Sequence, residues 1–257
     1  MMSGMSLLTI AFFGLGAIIA SFIGVVAARF NTGQSPLTGR SRCDACNMPL
    51  SLVSLVPILS YAASRGRARC CGARLSAFSP LTELLLGGLF ALTWVRLGLT
   101  PALPFMLVAL ALLLALVLYD LAHQILPSSL LIAFVLSGGC AGFLLAPTVQ
   151  DFFKTTGVAL GIAASLAAVH VLSRGRAMGF ADTPLAFGLA LLTGGAALSG
   201  FLFSFWIGAV IGIVILSLRP VGSRMGVEVP FAPFLAAGFL LAYFTQWNPL
   251  LLIAALY

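Results

Sequence analysis

The sequence predicts an all-α polytopic membrane protein of about eight transmembrane helices, with a small cytoplasmic loop domain between helices 1 and 2. Three observations carry this. Hydrophobic residues make up 61% of the chain and charged residues 7%, against about 25% charged in soluble domains. Mean hydropathy is +1.15. Apolar runs recur near the roughly 20 residues that a membrane crossing needs.

Eight spans are read in order, at about 7–28, 80–97, 102–119, 130–145, 156–172, 184–198, 201–218 and 231–244, the last extending toward Tyr257. The first resembles a signal peptide in position. It has no positive n-region and no convincing cleavage site, so it reads as a retained helix. The domains expected are the first helix at 1–28, a cysteine-containing loop domain at 29–79, and a membrane domain at 80–257.

Basic residues set the orientation. Arg29, Arg40, Arg42, Arg65, Arg67, Arg69 and Arg74 fall in the first loop. Arg174 and Arg176 follow span five, and Arg219 and Arg224 follow span seven. With eight spans these share one face, and only Arg96 and Lys154 fall on the other. The positive-inside rule makes the first face cytoplasmic. The net charge of +7 follows from topology and gives no argument for nucleic acid, although the first loop could touch anionic lipid headgroups. Nearly charge-free spans argue against a transporter, whose pathway places charges in mid-span.

The 29–79 loop is too long for a simple connection and too small for a core of its own without a staple. It holds Cys43, Cys46, Cys70 and Cys71. On the cytoplasmic side thiols stay reduced, which favours metal over disulfides, and four thiolates suit tetrahedral zinc. Adjacent cysteines are poor chelators because neighbouring side chains diverge. The alternative is a loop that folds against the membrane domain without metal. Cys140, inside span four, reads as a small buried apolar residue.

The chain has six acidic residues, and Asp120 and Asp182 stand at the ends of apolar runs. An ionisable residue at membrane depth is costly and is a functional-site candidate. Both fall on the predicted cytoplasmic side. Two carboxylates brought together by helix packing could share a proton and activate a water, as in aspartic proteases. Simpler roles stay open. Asp120 could mark a water-exposed helix end, although a carboxylate there meets the unfavourable end of the dipole. Asp182 could be an N-cap, with Thr183 and Pro184 opening the helix. His123 could orient Asp120 or belong to the interface loop. His170 reads as a packing residue within span five. Glu83 could pair with an arginine of the first loop.

Several segments, in order, resemble one family. Ala20-Ser21-Phe22-Ile23-Gly24-Val25-Val26-Ala27-Ala28-Arg29 is similar to G-S-F-L-N-V-V-x-x-R, and Arg40-Ser41-Arg42-Cys43-Asp44-Ala45-Cys46 to R-S-x-C-x-x-C. Val56-Pro57-Ile58-Leu59-Ser60-Tyr61, Arg65-Gly66-Arg67 and Pro80-Leu81-Thr82-Glu83 resemble I-P-L-L-S-Y, R-G-R and Y-P-L-V-E. Asp120 with Leu126-Pro127 resembles D-x-x-x-x-x-L-P, and Pro230-Phe231-Ala232-Pro233-Phe234-Leu235 resembles P-F-G-P-F-L. The family is that of bacterial type IV prepilin peptidases, membrane aspartic proteases of the G-x-G-D class.

There are departures. G-x-G-D reads Gly179-Phe180-Ala181-Asp182, and Pro184 stands where a lysine is frequent. Ala68 occupies the place of the third metal-binding cysteine, leaving Cys70 as a displaced substitute. The resemblance implies an inner-membrane endopeptidase cleaving the basic leader of type IV prepilins or pseudopilins at the cytoplasmic face, with Asp120 and Asp182 catalytic. It also implies possible structural zinc and, if the family's N-methylation is retained, S-adenosylmethionine as cosubstrate. The alternative, resting on Ala181 and Pro184, is a catalytically impaired scaffold of a pilus or type II secretion assembly.

Overall fold

The computed structural model describes residues 2–29, 45–46, 48, 58–176, 178–218 and 229–249. These form two compact units, Met1–Leu103 and Pro104–Tyr257.

The first unit is built on α1 (Met2–Arg29) and α3 (Phe78–Leu97), with the short α2 (Leu59–Ala63) between them. The two long helices touch through glycine. A Cβ on Gly16 would lie 2.7 Å from the Leu86 carbonyl oxygen, and one on Gly87 2.9 Å from that of Phe13. Small residues let apolar helices approach this closely where lipid supplies no hydrophobic drive between them. Phe12 stacks on Trp94 at 4.8 Å.

Residues 66–75 fold back on themselves as a small knuckle. Ala68 N–H donates to the Ala73 carbonyl at 2.8 Å, Gly72 N–H to that of Ala68 at 2.7 Å, and Leu75 N–H to that of Gly66 at 2.8 Å. The positive φ of Gly66 (69°) and Gly72 (71°) makes the turns possible. Glu83, expected beside an arginine, is buried. It accepts the Ile58 N–H at 2.7 Å and the Ser79 hydroxyl at 3.3 Å.

The second unit contains most of α4 (Ala102–His123), then α5 (Ser128–Leu145), α6 (Val149–Leu172), α7 (Asp182–Thr193), α8 (Ala197–Leu218) and α9 (Ala232–Thr245). Helix α7 is the hub, touching α5, α6, α8 and α9. Leu185, Ala186, Leu189 and Ala190 on it are fully buried, as expected of a helix apolar all round. Glycines seat it against α5. A Cβ on Gly188 would come within 2.8 Å of the Phe134 ring, and one on Gly142 would collide with the Leu191 carbonyl oxygen. Helix α8 meets α9 in the same way, Gly200 against Phe239 and Gly238 against Ser204.

Among the described residues, six helical stretches are long and apolar enough to cross a membrane, where the sequence reading had eight. The difference lies in the second unit. Spans six and seven fall in one stretch, Asp182–Leu218, broken at the 3₁₀ turn Gly194–Ala196, where Gly194 takes φ 63°. Span eight corresponds to the 14-residue α9, short of a crossing. Ile10, Ile132, Leu136 and Ile213 are exposed, as lipid-facing positions are. Cys140, expected to be buried, is exposed as well.

Candidate active site

Both aspartates lie in the second unit, and each is only 7% exposed, so neither sits at a water-washed helix end. Helix α4 continues past Asp120 to His123, and Gln124 closes it with its N–H on the Asp120 carbonyl at 2.8 Å. The Asp120 carboxylate accepts the backbone N–H of Ala232, the first residue of α9. A helix N-terminus presents N–H groups with no partner inside the helix, so this donor is available to a side chain from outside α9.

Asp182 is the first residue of α7, and Ala181 holds the capping position without a side-chain cap bond. The N-cap, the simpler alternative for Asp182, is therefore not formed. Its carboxylate instead accepts the backbone N–H of Gly179, three residues upstream. Asp182 N–H points back to the Gly179 carbonyl at 3.4 Å. Asp120 and Asp182 are close enough for the charge of one to act on the other.

Ala181 has φ −67°. That is ordinary backbone, so alanine carries no strain at this position of the motif. Pro184 is the third residue of α7, within the first turn, where N–H groups have no partner in the helix. Its missing donor costs nothing there.

Asp120 Oδ2 and Thr183 Oγ1 are buried with no hydrogen-bond partner among the described residues. An apolar groove of about 380 Å³ is lined in part by Leu126, Ser128, Leu131, Phe180, Ala181 and Pro184, the last two being chain neighbours of Asp182 and Thr183. His123 packs its ring on Tyr119 at 4.5 Å. Two features were not foreseen, the second at a residue read only as packing. One is the Ala232 donor, a backbone group that any residue but proline supplies. The other is His170, whose Nδ1 lies 2.9 Å from the Met178 carbonyl oxygen.

In the first unit, Cys46, Cys70 and Cys71 converge. The Cys46 and Cys70 sulfurs are 3.3 Å apart, those of Cys70 and Cys71 3.9 Å, and all three lie within 4.8 Å of one another. Tetrahedral zinc with bonds of 2.3 Å places its sulfurs about 3.8 Å apart, so the cluster fits a metal of this kind. The adjacent pair does not diverge as expected. The knuckle turn at Gly72 brings both sulfurs to one side, while Ala68 is buried behind it. Cys43 lies outside the described residues.

Two buried carboxylates in a bundle of apolar helices define a class: multi-pass membrane proteins with a candidate aspartic site. A family model described as the bacterial peptidase A24 N-terminal domain matches residues 15–97. Relatives from several bacteria carry the name prepilin leader peptidase/N-methyltransferase, three of them as follows. That of Myxococcus xanthus (strain DK1622) is 37% identical over 216 residues, covering 82% of this chain and 64% of the relative. That of Bacillus subtilis (strain 168) is 31% identical over 232 residues, covering 90% and 92%. That of Aeromonas salmonicida (strain A449) is 33% identical over 203 residues, covering 77% and 68%. No solved structure matches significantly. The chain belongs to the prepilin leader peptidase/N-methyltransferase family.

Proposed function

We propose that this chain is an inner-membrane aspartic endopeptidase that removes the basic leader of type IV prepilins or pseudopilins at the cytoplasmic face. Asp120 and Asp182 are the catalytic pair. The observation that supports this reading is two buried carboxylates in one helix bundle, near enough for the charge of Asp120 to act on Asp182, each with one backbone N–H donor. The family model ends before both, so their role rests on chemistry and on the motif segments.

One carboxylate takes a proton from water as the water oxygen bonds to the scissile carbonyl carbon. The other, protonated, donates to the carbonyl oxygen. As the tetrahedral intermediate collapses, the carbon–nitrogen bond breaks and the departing nitrogen takes up a proton. The unpartnered Asp120 Oδ2 and Thr183 Oγ1 are groups that a water or a substrate amide would satisfy. The apolar groove beside Asp182 suits the hydrophobic segment of the substrate.

Residues 29–79 form the cytoplasmic loop domain in this reading, and 80–257 the peptidase domain. Cys46, Cys70 and Cys71, with Cys43 as fourth ligand, hold a structural zinc that staples the loop and takes no part in hydrolysis. The relatives' name pairs the peptidase with an N-methyltransferase. We extend that second activity, with S-adenosylmethionine as methyl donor, to this chain on the name alone. The ordinary φ of Ala181 supports an active peptidase over an impaired scaffold.

The test is cleavage of a prepilin by the purified protein and by its Asp120→Asn and Asp182→Asn variants. Asparagine keeps the shape and removes the ionisable carboxyl. Each variant should lose activity by roughly 10²–10⁴-fold with unchanged thermal stability. Wild-type rates in either variant would exclude the two-carboxylate mechanism.

A further inference from the structure

We infer that His170 is a positioning residue that fixes the loop carrying Asp182. This rests on the peptidase reading for its consequence in catalysis, but its geometry stands alone. Helix α6 ends at Leu172. Two successive left-handed residues, Arg174 (φ 55°) and Gly175 (φ 76°), then turn the chain back over that end. Gly175 N–H donates to the His170 carbonyl at 2.8 Å. A Cβ on Gly175 would lie 3.3 Å from the imidazole Cε1, so glycine there serves both the turn and the ring beneath it.

Met178 and Phe180, beyond the turn, land on His170. The Met178 carbonyl oxygen sits 2.9 Å from Nδ1. A carbonyl can only accept, so Nδ1 carries the hydrogen. The Phe180 ring meets the imidazole edge-on, with centroids 5.6 Å apart. Met178 and Phe180 are the two neighbours of Gly179, and Gly179 supplies the N–H that the Asp182 carboxylate accepts. One imidazole therefore grips the loop on both sides of that donor. Phe180 and Ala181 also line the apolar groove, so the same contact sets one of its walls.

A packing role would require only volume, and leucine would supply it. A positioning role requires the N–H. Asparagine carries a donor near the place of Nδ1, so His170→Asn should restore what His170→Leu removes. Two readouts on the full-length protein separate the cases: kcat for prepilin cleavage, and hydrogen exchange of a peptide covering residues 178–184. His170→Leu should lower kcat by roughly 10–100-fold, the scale of an ångström-level misplacement, and speed exchange in that peptide. His170→Asn should stay near wild type in both. His170→Leu matching wild type in exchange, or His170→Asn exchanging as fast as His170→Leu, would overturn the inference. Were the wild-type protein to cleave no prepilin, the peptidase reading would fail, and the exchange comparison would still decide the role of His170.

Discussion

The backbone N–H of Ala232 donates to the carboxylate of Asp120, joining the last turn of α4 to the first residue of α9. Asp182 heads α7, which also touches α9. Each candidate carboxylate is thus tied to the start of a short helix, and the packing of those helices governs where the carboxylates stand.

Ala181→Gly should leave the rate of prepilin cleavage within about threefold of wild type, since a capping position tolerates glycine at least as well as alanine and φ −67° offers no strain to relieve. Ala181→Val should lower it sharply. The branched side chain stiffens the backbone before Asp182 and projects beside the groove that Ala181 lines. Rates at matched expression check both; equal rates in all three forms would detach this loop from the active site.

Gly142→Ala should destabilise the second unit by about 1–3 kcal/mol, as overpacked interiors do. Its added methyl has to displace the Leu191 backbone oxygen. Gly139→Ala, nearly one turn earlier with only the end of the Leu191 side chain at 3.6 Å, should be mild. Thermal unfolding in detergent compares the two. Loss of cleavage should track the loss of stability, because α7 carries Asp182.

Glu83→Ala strips the partner from the Ile58 N–H and should cost about 1–3 kcal/mol, the range for a donor left unsatisfied. Glu83→Gln keeps an acceptor oxygen and should cost less. Limited proteolysis between α2 and α3 should report the order Ala, then Gln, then wild type. Equal cleavage of all three would show that Glu83 does not anchor this segment.

Purified protein should carry about one zinc per chain, since structural sites of this type hold a single ion. Cys46→Ser and Cys71→Ser should lower that content, and Cys140→Ser, on α5, should not. Metal analysis without chelators reads this directly, and metal-free wild-type protein would return the loop to its alternative, a fold without metal.

The two aspartates were legible because acids are scarce in so apolar a chain. The cysteines were legible because their spacing is a chelation pattern. The way each aspartate is held was not. Gly179 and Ala232 act through backbone N–H groups, which have no residue signature, and His170 acts on a loop whose return path only the turn at Arg174 and Gly175 determines. Two helices were read between Asp182 and Leu218, and two are there; what composition could not place is the break, which falls at Gly194–Ala196 and leaves α7 with only 12 residues. The alternative reading of Asp182 as a cap failed because local propensity cannot see that its carboxylate is turned toward Gly179.

Helix α7 has 12 residues and α9 has 14, which at 1.5 Å per residue makes them about 18 and 21 Å long. The hydrocarbon of a typical bilayer is about 30 Å thick. Helices this short fall roughly 10 Å below that thickness. Helix α7 has little lipid to meet, because α5, α6, α8 and α9 enclose it and its core positions are fully buried. Its neighbours α6 and α8, with 24 and 22 residues, keep the full span. A short inner helix among long outer ones begins inside the bundle, and Asp182, its first residue, is buried although it heads a helix. Shortness at the centre is thus a means of seating an acid below the surface without opening the wall around it.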